Sequence, residues 1–172
     1  MTNIAATHMT KEEQLLLGLL DGVPDPEVPV LSVIDLGIVR ELHVTDPGRS
    51  VEIMITPTYS GCPAMDTIRI NIRMVLLGQG YTAIQIKTVL APAWTTDWMS
   101  EAGKQKLKAY GIAPPGKTNG RGNILFDEEA SVQCPLCNSC HTGRISEFGS
   151  TACKSLYRCK DCGEPFDHFK CH

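Results

Sequence analysis

The apolar positions near the start of the chain change from a helical to an alternating spacing. Thr10-Lys-Glu-Glu13 has the pattern of a capping box, in which a hydroxyl and a carboxylate satisfy the first N–H groups of a helix. The leucine-rich run that follows predicts a short, heavily buried helix that ends near Gly22. Two segments of alternating apolar residues then flank the turn at Asp46-Pro-Gly48 and predict a β-hairpin. Their apolar positions are Ile38, Leu42, Val44, Val51, Ile53 and Ile55.

A second helix is predicted after the loop at residues 56–61. Pro63 suits its first position, and glycines at 78 and 80 stop it. Its apolar stripe is Met65, Ile68, Ile72 and Val75. Residues 84–90 predict a third strand, and Asp97 is expected to cap a last helix that carries Met99, Leu107 and Tyr110. The order helix–strand–strand–helix–strand–helix predicts an α/β (α+β) fold over residues 1–112, with two layers and a mixed three-stranded sheet.

The last third of the chain has a different composition. Residues 113–126 are rich in Pro and Gly without apolar periodicity, which predicts a linker. Residues 127–172 are too few to hold a hydrophobic core unaided, but they contain seven of the eight cysteines. Two C-x-x-C pairs, separated by 21 residues, can close a tetrahedron around Zn²⁺. We therefore predict a C-terminal zinc ribbon with the metal ligands Cys134, Cys137, Cys159 and Cys162.

The other cysteines of this region leave alternatives open. Cys140 extends the first pair to C-x-x-C-x-x-C, the opening of a ferredoxin-like run, but the rest of that pattern is missing, so zinc is favoured. Cys140 and His141 are interpreted as neighbours of the site that could substitute as ligands. Cys153 and Cys171 are either small buried apolar residues or a second thiol pair, available for a labile metal or for redox exchange.

Cys62 is the single cysteine of the first domain, and its sequence context predicts the N-cap of the second helix. A thiol there faces unpaired amides and the positive end of the helix dipole, so we expect a lowered pKa. The hydroxyls of residues 56–60 could cradle a ligand, and Asp25, Glu27 and Asp35 could lie nearby. A metal or cluster ligand or a thiol carrier is favoured. Two other roles are conceivable for Cys62: a buried capping residue stays possible, whereas a hydrolytic nucleophile is disfavoured because no base is evident nearby. Asp25 and Glu27 could be turn formers only.

Composition and charge narrow the function classes. The formal net charge of −3, with no basic cluster, argues against a nucleic-acid partner. No apolar run is long enough for a membrane span, and residues 1–9 lack the features of a secretory signal. We therefore expect a soluble, cytoplasmic protein, in which clustered cysteines indicate metal binding before disulfides.

Several motifs resemble those of known families. Residues 25–39 (DPEVPVLSVIDLGIV) and 56–65 (TPTYSGCPAM) resemble the iron–sulfur-assembly domain of bacterial SufT and its eukaryotic cytosolic relatives. The tail segments EFGSTACK, at 147–154, and YRCKDCGEPF, at 157–166, resemble the PaaD family of accessory subunits of the bacterial phenylacetyl-CoA epoxidase system. The resemblance covers nearly all of residues 10–172.

The resemblance implies a role in phenylacetate breakdown without direct catalysis. It implies that the protein assembles, delivers or repairs the iron–sulfur cluster of the epoxidase reductase subunit, which would be its protein partner. It also implies that the protein holds iron or a cluster transiently. It assigns this function to Cys62, with Asp25 and Glu27, and it places the family cysteines beyond the zinc four at Cys153 and Cys171. The alternative is a non-catalytic scaffold of the epoxidase complex with structural zinc only. Direct epoxidation is disfavoured, because the chain lacks paired Glu-x-x-His motifs and a dinucleotide fingerprint.

Overall fold

The computed structural model describes residues 9–116 and 132–170, and these fall into two compact units. The first unit runs to Gly103 and the second begins at Lys104. Cys171, which the sequence pairs with Cys153, lies outside the described residues, as does the predicted linker from residue 117 onward. Within the described ranges, no helix is long and apolar enough to cross a membrane.

The first unit contains the predicted mixed sheet. Its elements are α1 (Lys11–Leu20), β1 (Val39–Asp46), β2 (Ser50–Ile55), α2 (Ala64–Gly78), β3 (Ala83–Thr88) and the start of α3 (Glu101–Tyr110). In the strand order β1-β2-β3, β1 pairs with β2 in antiparallel fashion and β2 pairs with β3 in parallel. The predicted fold class is therefore confirmed. β2, α2 and β3 form a βαβ unit, and this unit positions Cys62.

The core of the first unit lies between the sheet and one face of α2. Ile68, Ile72 and Leu76 of that helix have no exposed surface. Val75, which was assigned to the buried stripe, is only half-buried, because Leu76 lies four residues beyond Ile72 and occupies the core-facing position. The outer face of the sheet is polar, with Lys87 of β3 bonded to Glu52 of β2 at 2.7 Å.

The capping box of α1 is confirmed, and it also ties the helix to the hairpin. The Thr10 N–H donates to Glu13 Oε2 at 2.8 Å, and the Glu13 N–H donates to Thr10 Oγ1 at 3.2 Å. Glu13 Oε1 accepts the Val44 N–H of β1 at 3.1 Å. The helix buries one face only, since Leu15 is 62% exposed, so the expectation of a heavily buried helix was too strong.

The start of α3 differs from the prediction. Asp97 lies in a single 3-10 turn, Thr96–Trp98, and does not cap the helix. Ser100 Oγ instead accepts the Gly103 N–H at 2.8 Å and donates to Asp35 Oδ1 at 2.8 Å. The buried carboxylate of Asp35 therefore holds the capping residue Ser100 in place. Asp35 approaches the helix at Gly103, where an added Cβ would lie 2.9 Å from the Asp35 Cβ.

The second unit contains an antiparallel sheet of β4 (Thr142–Ser146), β5 (Lys154–Cys159) and β6 (Pro165–Phe169), in that order. Ala113, at the start of the predicted linker, extends this sheet by pairing with His168, and its N–H donates to the Asp167 carbonyl at 2.8 Å. The core cluster around the cysteine pairs is small, and its buried residues are Ala113, Cys134, Cys159 and Phe166. A core of this size needs further stabilisation, and a metal can supply it.

Candidate metal centre and thiol site

Four cysteines of the second unit bring their sulfurs together. The Sγ atoms of Cys134, Cys137, Cys159 and Cys162 all lie within 4.8 Å of one another. Cys134 Sγ is 3.9 Å from Cys162 Sγ, and Cys137 Sγ is 3.5 Å from Cys159 Sγ. Tetrahedral zinc with Zn–S bonds of about 2.3 Å requires sulfurs about 3.8 Å apart. The geometry and the all-thiol donor set therefore fit zinc.

Both cysteine pairs are held by the same type of turn. The Asn138 N–H donates to the Cys134 carbonyl at 2.9 Å, and the Gly163 N–H donates to the Cys159 carbonyl at 3.1 Å. Each residue that follows a pair has a left-handed backbone, with φ of +61° at Asn138 and +81° at Gly163. These two turns point the sulfurs toward a common centre.

Backbone N–H groups favour the thiolate form at one of the four cysteines, Cys159, whereas burial and hydrogen bonds among the sulfurs raise the pKa of Cys137 and Cys162. The Cys162 N–H donates to Cys159 Sγ at 3.5 Å. This hydrogen bond, together with the N–H of Asp161, lowers the pKa of Cys159 to about 6. A thiol that ionises this readily is a suitable ligand at neutral pH.

Asp161 joins the two turns, a role that sequence reasoning missed. Its carboxylate accepts a hydrogen bond from the Ser139 hydroxyl and lies 3.0 Å from His141 Nδ1. Ser139 belongs to the first turn, since its carbonyl accepts the Cys134 N–H at 2.8 Å. The sequence signal for Asp161 is only its place inside the second C-x-x-C. His141 is thus paired with Asp161, and Cys140 is exposed and outside the four-sulfur group.

Cys62 lies where β2 gives way to α2, at the carboxyl ends of two parallel strands. Ligands of open α/β sheets commonly bind at this edge. The side chain is half-buried. The N-cap of α2 is Pro63, so Cys62 precedes it by one residue and the predicted N-cap position was wrong. The proline already has helical angles, with φ −68° and ψ −22°, but the helix itself begins at Ala64.

The electrostatics of Cys62 also differ from the prediction. Burial raises the pKa of its thiol, and the charges of Glu27 and Asp25 raise it further. Hydrogen bonds from the Ala64 N–H and the Tyr59 side chain lower the pKa but do not compensate. The expected lowering of the Cys62 pKa was wrong, because desolvation of the thiol outweighs the hydrogen bond from the first turn of α2.

The structure brings Asp25 and Glu27 close enough to Cys62 for their charges to act on the thiol. Asp25 is also a turn former, because its Oδ1 accepts the N–H groups of Glu27 and Val28, both at 2.8 Å. Asp35 is used differently: its Oδ2 accepts the Ser32 N–H at 3.2 Å, in addition to the bond with the serine that caps α3. Asp25 and Glu27 thus contribute negative charge near the Cys62 thiol, whereas Asp35 stabilises the start of α3.

Cys153 lies apart from the four-sulfur group. It directly precedes β5, whereas Cys159 ends that strand, so the two are separated by about 20 Å. Its side chain is buried, and Sγ lies 3.0 Å from Thr151 Oγ1. Its suggested partner Cys171 lies outside the described residues.

Comparisons with known proteins match both units. A family model described as iron–sulfur cluster assembly protein matches residues 13–84, and one described as PaaD zinc beta ribbon domain matches residues 119–170. A crystal structure of a domain of unknown function, DUF59, from Bacillus anthracis matches with a TM-score of 0.51 and 29% identity, over 55% of this chain and 90% of that one. The fold and the four-cysteine group define a protein that joins an iron–sulfur-assembly domain to a zinc ribbon.

A relative matches nearly the whole chain. A protein of Escherichia coli (strain K12), provisionally described as one of the subunits of 1,2-phenylacetyl-CoA epoxidase, is 50% identical over 166 residues, which are 96% of this chain and 97% of that protein. The chain belongs to the PaaD family of phenylacetyl-CoA epoxidase subunits.

Proposed function

We propose that this protein is an accessory factor of a phenylacetyl-CoA epoxidase system, and that it assembles, delivers or repairs the iron–sulfur cluster of the reductase component. Iron or the cluster is the cargo, held transiently, and the reductase subunit is the partner. The observation that carries the proposal is the half-buried Cys62 beside Asp25 and Glu27 in a domain of the iron–sulfur-assembly family.

The charges around Cys62 support a cation as cargo. The negative potential of Asp25 and Glu27 that raises the thiol pKa also attracts Fe²⁺, and a binding cation displaces the thiol proton. A thiol that stays protonated at rest is also less easily oxidised. The site can thus remain reduced until the metal arrives.

In this proposal the second unit supplies structure and a docking surface. Cys134, Cys137, Cys159 and Cys162 hold a zinc ion, which stabilises a ribbon with a very small core. In this proposal Cys153 and Cys171 contact the iron or cluster during transfer and are not zinc ligands.

Metal analysis of anaerobically purified variants tests the assignment of Cys62. The protein is reconstituted with Fe²⁺ and sulfide, and zinc, iron and acid-labile sulfide are measured. We expect Cys62→Ala to keep zinc and lose iron, and Cys140→Ala, the matched control, to keep both. Full iron binding by Cys62→Ala would contradict the role of this residue.

Two observations favour a second candidate, a non-catalytic scaffold of the epoxidase complex with structural zinc only. Burial raises the pKa of Cys62, and Cys153 is buried, as expected for cysteines that only pack. A scaffold should co-purify stoichiometrically with the oxygenase and reductase subunits and bind no iron. A transfer factor should bind iron and associate only transiently.

A further inference from the structure

The outer edge of β3 carries hydrogen-bonding groups that no other described residue uses. β3 ends the sheet, and within the described part of the chain it pairs with β2 alone. Ala83 donates its N–H to the Arg49 carbonyl at 3.0 Å, so Ala83 and every second residue after it bond inward. Because inward and outward residues alternate in a parallel strand, the N–H and C=O groups of Ile84, Ile86 and Thr88 point outward.

A groove runs beside this edge. It has a volume of about 330 Å³ and is lined by residues of both α2 and β3: Asp66, Arg69, Ile70, Arg73 and Ile86. Its walls combine apolar side chains with two guanidinium groups and one carboxylate, and the carboxylate of Asp66 is paired with Arg69. A groove between a helix and an open strand edge can accept an extended peptide as an additional strand.

The exposed face of α2 carries a second apolar stripe, and Ile70 is its member that lines the groove. Ile70, Met74 and Leu77 are 61%, 63% and 47% exposed and follow one another at helical spacing. The helix buries its opposite face in the core, so this second stripe is not required for folding. A contiguous exposed apolar stripe on a helix is typical of an interaction surface.

The charges of the groove select the chemistry of its occupant. Arg69 binds Asp66 at 3.1 Å and Thr88 through its two terminal nitrogens, but its Nε is buried without a hydrogen-bond partner among the described residues. Arg73 is exposed and has no ion pair with any described residue. Because Arg69 is already paired and its Nε is inaccessible to an occupant, Arg73 is the residue of the groove that can bind a carboxylate, as guanidinium groups do strongly.

We propose that β3 binds an extended acidic segment of a partner protein as a fourth strand of the sheet. The backbone of the segment bonds to Ile84, Ile86 and Thr88, and an apolar side chain packs against Ile70. A carboxylate on the same face of the segment binds Arg73. A second copy of this chain fits less well, because it would bring the same arginines to the shared edge.

Amide spectra of the zinc-loaded full-length protein, labelled with ¹⁵N, test this proposal. The probe is a capped peptide of sequence SVTETVS, and its matched control is SVTKTVS. We expect the acidic peptide to shift the amides of Ile84, Ile86 and Thr88, and the basic peptide to bind about tenfold more weakly. No shift with the acidic peptide, or equal shifts with both, would overturn the proposal.

Three variants separate the contributions of charge and backbone. Arg73→Glu should weaken binding about tenfold, whereas Arg49→Glu, the same charge change in the β1–β2 turn, should leave it within about twofold. Ile86→Pro removes an outward N–H at an edge that tolerates proline and should abolish the shifts; if it does not fold, the two arginine variants still decide. Equal binding by both arginine variants would refute the charge assignment. Concentration-dependent shifts without peptide would show that a second copy occupies the edge, which also overturns the proposal.

Discussion

Gly163 and Asn138 are structural equivalents in the two halves of the candidate zinc site. Each follows the second cysteine of its pair, has a positive φ of +81° or +61°, and donates its N–H to the carbonyl of the first cysteine. The left-handed conformation favours glycine, and asparagine tolerates it better than most residues. The two halves of the site thus use the same turn with different residues.

These turns should tolerate little substitution. Gly163→Val forces a β-branched residue into the left-handed region and should destabilise the second unit by roughly 1–2 kcal/mol. Asn138→Gly keeps the turn and should stay within about 0.5 kcal/mol of the parent protein. Thermal unfolding and the rate of zinc release to a chelator measure both effects. A Gly163→Val protein that holds zinc as firmly as the parent would show that the turn conformation is not limiting.

Loss of a zinc ligand should unfold the second unit and leave the first one folded. Cys159→Ser removes a sulfur that is both a ligand and part of the small core. Both tryptophans, Trp94 and Trp98, belong to the first unit, so their fluorescence reports on that unit alone. We expect zinc to be lost with tryptophan fluorescence unchanged. Cys140→Ser is the control and should keep a full complement of zinc.

The carboxylate of Asp35 should matter for stability and not for metal content. Asp35→Ala leaves the Ser32 N–H and the Ser100 hydroxyl without their acceptor, at a cost of roughly 1–3 kcal/mol. Asp46→Asn, at an exposed position, should change stability by less than about 0.5 kcal/mol. Urea unfolding followed by tryptophan fluorescence makes the comparison. Equal stability of the two variants would show that the buried contacts contribute nothing.

His168 should make the second unit sensitive to mild acid. Burial, together with the charge of Lys170, lowers its pKa from 6.5 to about 4. Because the unfolded chain takes up a proton that the folded chain refuses, stability is complete above pH 6.5 and falls toward pH 4, by up to about 1.4 kcal/mol per pH unit. This loss should be absent in His168→Gln. Protonation of the cysteines affects both proteins, so the difference between their unfolding free energies at pH 7.5 and 5.5 isolates the histidine.

Local chemistry made much of the fold predictable. The capping box at Thr10 and Glu13 and the hairpin around the turn at Asp46 depend on neighbouring residues, and both were confirmed. The error at the start of α3 lies where tertiary contacts decide. Asp97 had the right residue type for a helix cap, but the bond between Asp35 and Ser100 determines where α3 begins.

In the candidate sites, too, the features that depend on neighbouring residues were predictable and those that depend on distant residues were not. The spacing of the cysteine pairs predicted which four sulfurs would meet, because each pair forms a local turn. The pKa of Cys62 depends on its burial and on the charges of Asp25 and Glu27, whose proximity the sequence does not encode locally. Asp161, which joins the two cysteine turns, was missed for the same reason.

Cluster transfer to the apo form of the epoxidase reductase tests the central claim most directly. The reductase is incubated anaerobically with reconstituted protein, either the parent or Cys62→Ala, and its iron, sulfide and electron-transfer activity are measured. We expect the parent protein to restore all three and Cys62→Ala, with zinc retained, to restore none above the level of free iron and sulfide. Equal restoration by Cys62→Ala would contradict the account.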